Sequence, residues 1–447
     1  MNFIVLICDT LRYDHLACNG ARPITTPNFD AFARIATRFS RCYAGSYPSQ
    51  PHRCDCVSGR HVFPFYGWQE MPEDERELVS LLGESGYQTH FVSDGGLTLT
   101  LGSGRGYQSH EVIPNEISDE LVEQTPWPCD PKKSRMPDSM RRHWALRTHA
   151  WNVEEDWPQP RVMNAASRWL KKDRGDPFFL WIESWRIHEP WIDPQEFVEL
   201  YDPGYSGEIV ALPSYSPDVD YLTPAELNHV RAMYAASVTF TDKWLGALLR
   251  TVEEAGLLDD TCIVLSSDHG FSLGDHGRTG KHGVPSPRQE PWPLYEECTH
   301  VPLLVHLPGQ AHAAASGRLV QHVDLLPTVF DLAGLDLPET CRGVSWRPLL
   351  EGGDRPLRTL AVTAPGIQKF PDSGNCRITL TTEQWALILP TDRREPELYN
   401  LAVDPGQTIN VFSRHRDVAA GIHADFLDLL KGLDADPAKI RSWTDIL

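Results

Sequence analysis

Apolar residues fall along this chain in short unbroken runs, separated by longer stretches with helical spacing. The first run, Phe3–Cys8, contains no polar position, which suits a strand covered on both faces of a parallel sheet. Runs of the same kind recur at Thr89–Ser93, Phe178–Glu183, Thr261–Ser267 and Val301–Val305. Between them lie helical patterns at Glu75–Glu84, Arg161–Lys171 and Pro224–Glu254. A further helix is expected near the start, with Thr26 as its cap, Pro27 at its first position, and Phe29, Phe32, Ile35 and Phe39 on one side. Strands alternating with helices predict an α/β sandwich with a mostly parallel central sheet flanked by helices.

Two regions break this rhythm. Residues 110–160 are rich in Pro, Trp and charge and predict a lid-like insertion. Their tryptophans and basic residues would suit a planar or anionic leaving group. From about Arg358 the pattern changes to alternation in Arg377–Leu389 and a final helix near Val418–Leu430. The expected division is a large α/β domain over residues 1–357 and a small C-terminal α+β subdomain over residues 358–447.

The formal charge of −20 over 447 residues excludes partners that need an excess of Lys and Arg, namely nucleic acid and acidic membranes. It leaves room for a small anionic ligand, because a pocket can be locally positive. Met1 is followed by neither a basic segment nor a small-residue cleavage site, and Phe3–Cys8 is too short to span a bilayer. The ten cysteines are scattered, with only Cys54 and Cys56 close together. Reduced thiols in a cytoplasmic protein are therefore the expectation. Assembly into a homo-oligomer is left open.

The candidate chemistry sits where the buried runs end. Asp9 follows the first, and Asp268 and His269 follow another. Ligands of open α/β sheets gather outside the carboxyl ends of the strands, so these three can converge as a divalent-metal site. Taken singly, each aspartate would serve equally well as a helix cap. Ser49-Gln50-Pro51-His52-Arg53 places a hydroxyl beside a helix start that favours an anion, with Arg53 one turn on to fork onto oxyanion oxygens. A hydroxyl ligated to a divalent metal loses its proton more easily and becomes a nucleophile. His188, in Ile187–Trp191 after a buried strand, could bind the transferred group or protonate a leaving oxygen. Lys281 lies in a glycine-rich stretch suited to an oxyanion, and His276 and His282 nearby could serve equally.

With these residues assembled, the chain resembles the sulfatase family of the alkaline-phosphatase superfamily along nearly its whole length. Asp9–Leu16 looks like the opening metal motif, and Thr26–Asp30 like the TPNLD helix start. Ser49-x-Pro-x-Arg53 with Ser58-Gly59-Arg60 is similar to the signature [CS]xPxR…TGR. Ser267–Gly270 resembles the second metal motif, and His188 the histidine after the third buried strand. The resemblance implies one divalent cation held by Asp9, Ser49, Asp268 and His269, with Arg53, His188 and Lys281 binding substrate and assisting the reaction. An imidazole ligand favours Mn, Zn or Fe, and an all-oxygen site would favour Ca or Mg. It also implies a small anionic ester of sulfate, phosphate or phosphonate as substrate.

The departures bear on which ester. Thr10 stands where the family places a second aspartate, and Ser93–Leu97 replaces a GKWHLG segment that supplies a lysine and a histidine. The usual cysteine, which is converted to formylglycine, is Ser49 here. A formylglycine hydrate expels sulfate by collapsing to the aldehyde, whereas a plain serine ester must be cleaved at sulfur or phosphorus. The same scaffold would also suit a silent metal- or anion-binding relative or a group transferase.

Overall fold

The apolar run at the start of the chain becomes β1 (Asn2–Cys8), near the middle of a nine-stranded sheet in the computed structural model. The model describes residues 1–447 except 21–22, 76, 173, 282–292, 367–376, 391–393, 439 and 445–447. With β2 (Thr37–Tyr43), β4 (Gln88–Ser93), β5 (Ser109–Val112), β6 (Phe178–Ser184), β7 (Thr261–Ser266), β10 (His300–His306) and β11 (Ala314–Ser316), the strand order is β11-β2-β10-β7-β1-β6-β4-β5. A short β12 (Val320–Gln321) also pairs with β2. The strand β10 is antiparallel to both β7 and β2, while the other pairings are parallel. Each expected buried run is a strand of this sheet.

Both faces of β1 are covered, which is why its sequence shows no alternation. Ile4, Leu6 and Cys8 pack with the helices Pro158–Lys172 and Pro224–Glu254 on one face. Phe3, Val5 and Ile7 pack on the other with Cys54 and Val57 of the helix Ser49–Ser58 and with Leu325, Leu326 and Val329. The long helix Pro224–Glu254 matches its predicted span, set by Thr223, Pro224 and Glu226 in a capping box.

The early helix is shorter than its pattern suggested. It runs from Pro27 to Ala33, and Phe39 belongs to β2, on the opposite face of the sheet from Phe29 and Phe32. Thr26 does not cap it, because its hydroxyl accepts from the Ala17 N–H at 2.9 Å. Asp242 of the long helix does so from outside, accepting from Asn28 N at 3.0 Å and Phe29 N at 2.7 Å. Local periodicity has no access to a cap supplied from 214 residues away.

Residues 110–160 contain helices at Asp119–Gln124 and Pro137–His149. Trp151 and Trp157 are buried with Leu146 and Phe240, so these tryptophans serve packing rather than a leaving group. The last part of the chain forms β13 (Ala361–Pro365), β14 (Arg377–Thr381), β15 (Trp385–Pro390) and β16 (Glu397–Asn400), under the helix Arg416–Gly432. Its fifth strand comes from far away: β3 (Ser46–Tyr47) pairs in parallel with β13, Ser46 opposite Ala364. A small hairpin, β8 (Ser272–Leu273) with β9 (Thr279–Gly280), completes the strands named here. No helix among the described residues is long and apolar enough to cross a membrane.

Asp242→Ala would leave two helix-start amides without their acceptor. We expect a loss of about 2 kcal/mol in urea-induced unfolding, with the slope of the transition unchanged.

Candidate active site

The carboxyl ends of β7, β1 and β6 lie side by side, because these strands are neighbours in the sheet. Each delivers an acid there: Asp268 just past β7, Asp9 just past β1, and Glu183 as the second-last residue of β6. Asp9, Asp268 and His269 are fully buried and offer ligand atoms within 4.8 Å of one another. The backbone of this edge is tightly constrained. A Cβ on Gly270 would run into the Glu297 carbonyl oxygen, so the residue after His269 has to be glycine.

Ser49 reaches the cluster as the first residue of the helix Ser49–Ser58, and Pro51 is its third. The Ser49 Oγ lies 3.1 Å from His269 Nε2. Asp55 pins the helix to the preceding strand, accepting from Ser46 N and Ser46 Oγ, each at 2.7 Å, and from Val62 N at 2.8 Å. Gly45 leaves room for that carboxylate, which a Cβ would strike.

Arg53, one turn into the helix, lies at the centre of the acids. Its Nε donates to Glu183 at 3.0 Å, Nη2 to Asp9 at 3.0 Å, and Nη1 to Asp268 and to the Ser49 carbonyl oxygen. Burial opposes its charge, but Glu183, Asp268 and Asp9 outweigh that and keep the guanidinium charged. Burial likewise pushes the Asp268 carboxyl up, yet His269, Arg53 and His52 hold it well below the usual carboxylate range. Burial pushes His269 down to about 4 against the pull of Asp268, so its ring is neutral at pH 7. Its Nδ1 donates to the Gly270 carbonyl at 2.9 Å, which leaves a lone pair on Nε2.

These observations fit a divalent cation. Asp9, Asp268 and Glu183 set three carboxylates around one guanidinium, and a doubly charged ion would balance the excess. Two carboxylates, a neutral imidazole Nε2 and the Ser49 hydroxyl form a mixed O/N donor set.

Glu183 is the residue that the sequence pattern hid, since it reads there only as the end of a strand. Besides Arg53, it accepts from Trp181 Nε1 at 3.2 Å, Trp185 Nε1 at 3.1 Å and Thr98 Oγ1 at 2.6 Å. A lone carboxylate closing the run Phe-Phe-Leu-Trp-Ile-Glu was the available signal. Thr10 is a second. Its φ of +68° is uncommon for a β-branched residue, and it is held there by Tyr234 Oη, which donates to its carbonyl at 2.8 Å. Its hydroxyl donates to Asp9 at 2.6 Å and accepts from Lys281 Nζ at 3.2 Å, which places buried Lys281 beside the acids.

Other candidates are less central. His188 is partly exposed and connects to the cluster through Trp185, whose ring lies 5.9 Å from its own and 5.1 Å from the Arg53 guanidinium. His276 bonds to Glu297 and to the carbonyls of Gly406 and Gln407, at none of the clustered residues. His282 lies outside the described residues. Asp94, in the segment without lysine or histidine, accepts from Trp185 N at 2.7 Å and pairs with Arg186. A cavity of about 660 Å³ lined by Arg12, Tyr13, Asp275, His276 and His300 contains none of the converging groups, so its size does not locate the chemistry.

The sulfatase family model matches residues 1–335, and the model of the N-sulphoglucosamine sulphohydrolase C-terminal region matches residues 290–432. An N-acetylglucosamine-6-O-sulfatase of Bacteroides thetaiotaomicron is 24% identical, over 92% of this chain and 83% of its own. An arylsulfatase of Clostridium perfringens is 24% identical, over 92% and 90%. Among solved structures, the phosphonate monoester hydrolase of Agrobacterium radiobacter superposes with a TM-score of 0.77 at 20% identity, covering 97% of this chain and 96% of that one. A protein solved with D-glucosamine-2-N,6-O-disulfate as its substrate superposes at 0.72, also 20% identical, covering 99% and 98%.

The matches place the chain among sulfuric- and phosphoric-ester hydrolases, and its buried Asp9, Asp268 and His269 form a cluster that could hold a divalent cation. The chain belongs to the sulfatase family.

Arg53→Ala would leave three buried carboxylates facing one another. In chelator, we expect unfolding stability to fall by about 4 kcal/mol. Adding Mn²⁺ should recover part of that loss in the variant, measured by the unfolding midpoint at fixed protein concentration.

Proposed function

We propose that this protein hydrolyses a small anionic ester of sulfate, phosphate or phosphonate through a nucleophile at residue 49. The observation that carries the reading is the Ser49 hydroxyl 3.1 Å from His269 Nε2, beside acids whose charge exceeds that of Arg53. Asp9, Asp268, His269 and Ser49 would hold one divalent cation. When bound there, the cation polarises the hydroxyl and the ester oxygens. The imidazole among its ligands favours Mn, Zn or Fe over Ca.

The chain's own residues supply the rest. Arg53 holds the Ser49 carbonyl and both ligand carboxylates in one frame, so the nucleophile needs no reordering. Lys281, buried against Thr10, binds a non-bridging oxygen of the ester. His188 gives a proton to the leaving oxygen. The subdomain over residues 358–447 supports the nucleophile from behind, because β13 pairs with the strand that ends one residue before Pro48.

The chemical state of residue 49 separates the two ester classes. A plain serine suits a phosphorus ester, whose covalent serine intermediate water can cleave at phosphorus. A formylglycine suits sulfate, which its hydrate expels without attack at sulfur. The sulfatase relatives support the second state, and the replacement of the usual cysteine by serine supports the first.

Peptide mass spectrometry over residues 42–60 reads the state directly, since the aldehyde carries two hydrogens fewer than serine. Unmodified Ser49 should accompany turnover of aryl phosphates or phosphonates, and the aldehyde should accompany turnover of aryl sulfates. Ser49→Ala should lower that turnover by on the order of 10⁴-fold or more. Dialysis against chelator should abolish it and Mn²⁺ restore it. Full turnover of these esters by metal-free protein or by Ser49→Ala would remove the reading.

A further inference from the structure

Glu189 is a buried carboxylate beside this site that the reaction described above leaves without a task. Its side chain is fully covered. One oxygen, Oε1, accepts from Tyr215 Oη at 2.5 Å and from Arg135 Nη1 at 3.4 Å. The other, Oε2, makes no hydrogen bond among the described residues and lies 3.4 Å from His188 Nδ1. Burial alone would push this carboxyl up, but His188, Lys281 and Arg135 together bring it down to about 2. A charged, half-satisfied carboxylate in a covered position is costly unless a neighbour uses it.

The neighbour is His188. Its Nδ1 is 2.6 Å from the Glu189 main-chain oxygen, which can only accept, so Nδ1 carries the hydrogen. The main-chain oxygen of Glu189 thus bonds to this ring nitrogen, and its carboxylate faces the same nitrogen at 3.4 Å as an ion-pair partner. The other nitrogen, Nε2, has no hydrogen bond among the described residues. Around the carboxylate stand Arg135 from the insertion, Tyr215 from the segment facing β9, and Lys281 just past β9. Arg135 also stacks over the Tyr215 ring at 4.2 Å, so the two groups that hold Oε1 hold each other.

We propose that Glu189 is the positioning residue of His188, fixing the ring so that Nε2 delivers its proton to the leaving oxygen. Arg135 and Tyr215 in turn fix the carboxylate, which gives the insertion at residues 110–160 a part in the reaction. The proposal rests on the reading of His188 as the donor. As the ester bond to the leaving oxygen breaks, its electron pair stays on that oxygen and the Nε2 proton joins it. The ring recovers a proton from the water that splits the ester on Ser49, or from the second hydroxyl of a hydrate at residue 49.

The test is a series of aryl esters, of whichever class the enzyme turns over, whose phenols range from strongly to weakly acidic. A proton donor matters most for the poorest leaving groups. Glu189→Gln should lower kcat on the weakest phenols by on the order of 10²-fold, change the most acidic phenol little, and leave KM nearly constant. His188→Ala should show the same slope, and the double variant should be no slower than His188→Ala. Glu189→Asp should recover part of the loss. Tyr215→Phe, which removes one bond to Oε1, should give a weaker form of the same slope and serves if Glu189→Gln does not fold. A steep slope for His188→Ala with a flat loss for Glu189→Gln or Tyr215→Phe overturns this proposal alone. Flat losses in all the variants overturn the reading of His188 beneath it.

Discussion

One guanidinium buried among three carboxylates sets the terms for the rest of the molecule. Arg53 bonds to Asp9, Asp268 and Glu183, which come from the ends of three neighbouring strands, and to the carbonyl of Ser49. Bringing three acids into a site closed to water is unfavourable unless positive charge meets them. Arg53 supplies one unit of it and ties the helix that begins at Ser49 into the same network. What remains is negative charge that a divalent cation would balance. Stability and chemistry thus depend on the same set of contacts.

That network needs a rigid edge, and the scaffold provides it from both sides. The central sheet buries both faces of β1, β6 and β7, so their carboxyl ends cannot drift apart without opening the core. Ser49 enters from a different body of structure. Its helix is joined through Asp55 to β3, and β3 is a strand of the C-terminal sheet. Residue 49 is therefore placed by the pairing of segments more than 300 residues apart in sequence. The last quarter of the chain contributes to the site by holding Ser49 against the acids.

The places where this chain departs from the sulfatase pattern are filled by hydrogen-bonded groups. Thr10, where the family has an aspartate, links Asp9 to Lys281 through its hydroxyl and keeps a left-handed backbone to do so. The segment that carries no lysine or histidine presents Asp94 to the backbone of Trp185, whose ring packs against Arg53. The first replacement removes a charge and the second exchanges a basic residue for an acidic one, and both are tied down by hydrogen bonds. Glu189 and Arg135 place an acid and a base one layer further out.

Much of this was legible in the sequence. Unbroken apolar runs identify strands covered on both faces, and the polar residue after such a run falls at the edge where ligands bind. That reasoning picked out Asp9, Asp268 and His269, and the order of motifs picked out the family. It missed what depends on partners distant in sequence. Phe39 fits the helical spacing of Phe29 and Phe32 yet lies in a strand on the other face, because the helix ends at Ala33. The cap of that helix is Asp242, and the acid that locks Arg53 is Glu183. Periodicity reports which face of an element is buried, a property set by neighbours within a turn or a strand. Strand order and helix docking decide which polar groups then meet, and only the tertiary structure fixes those distances.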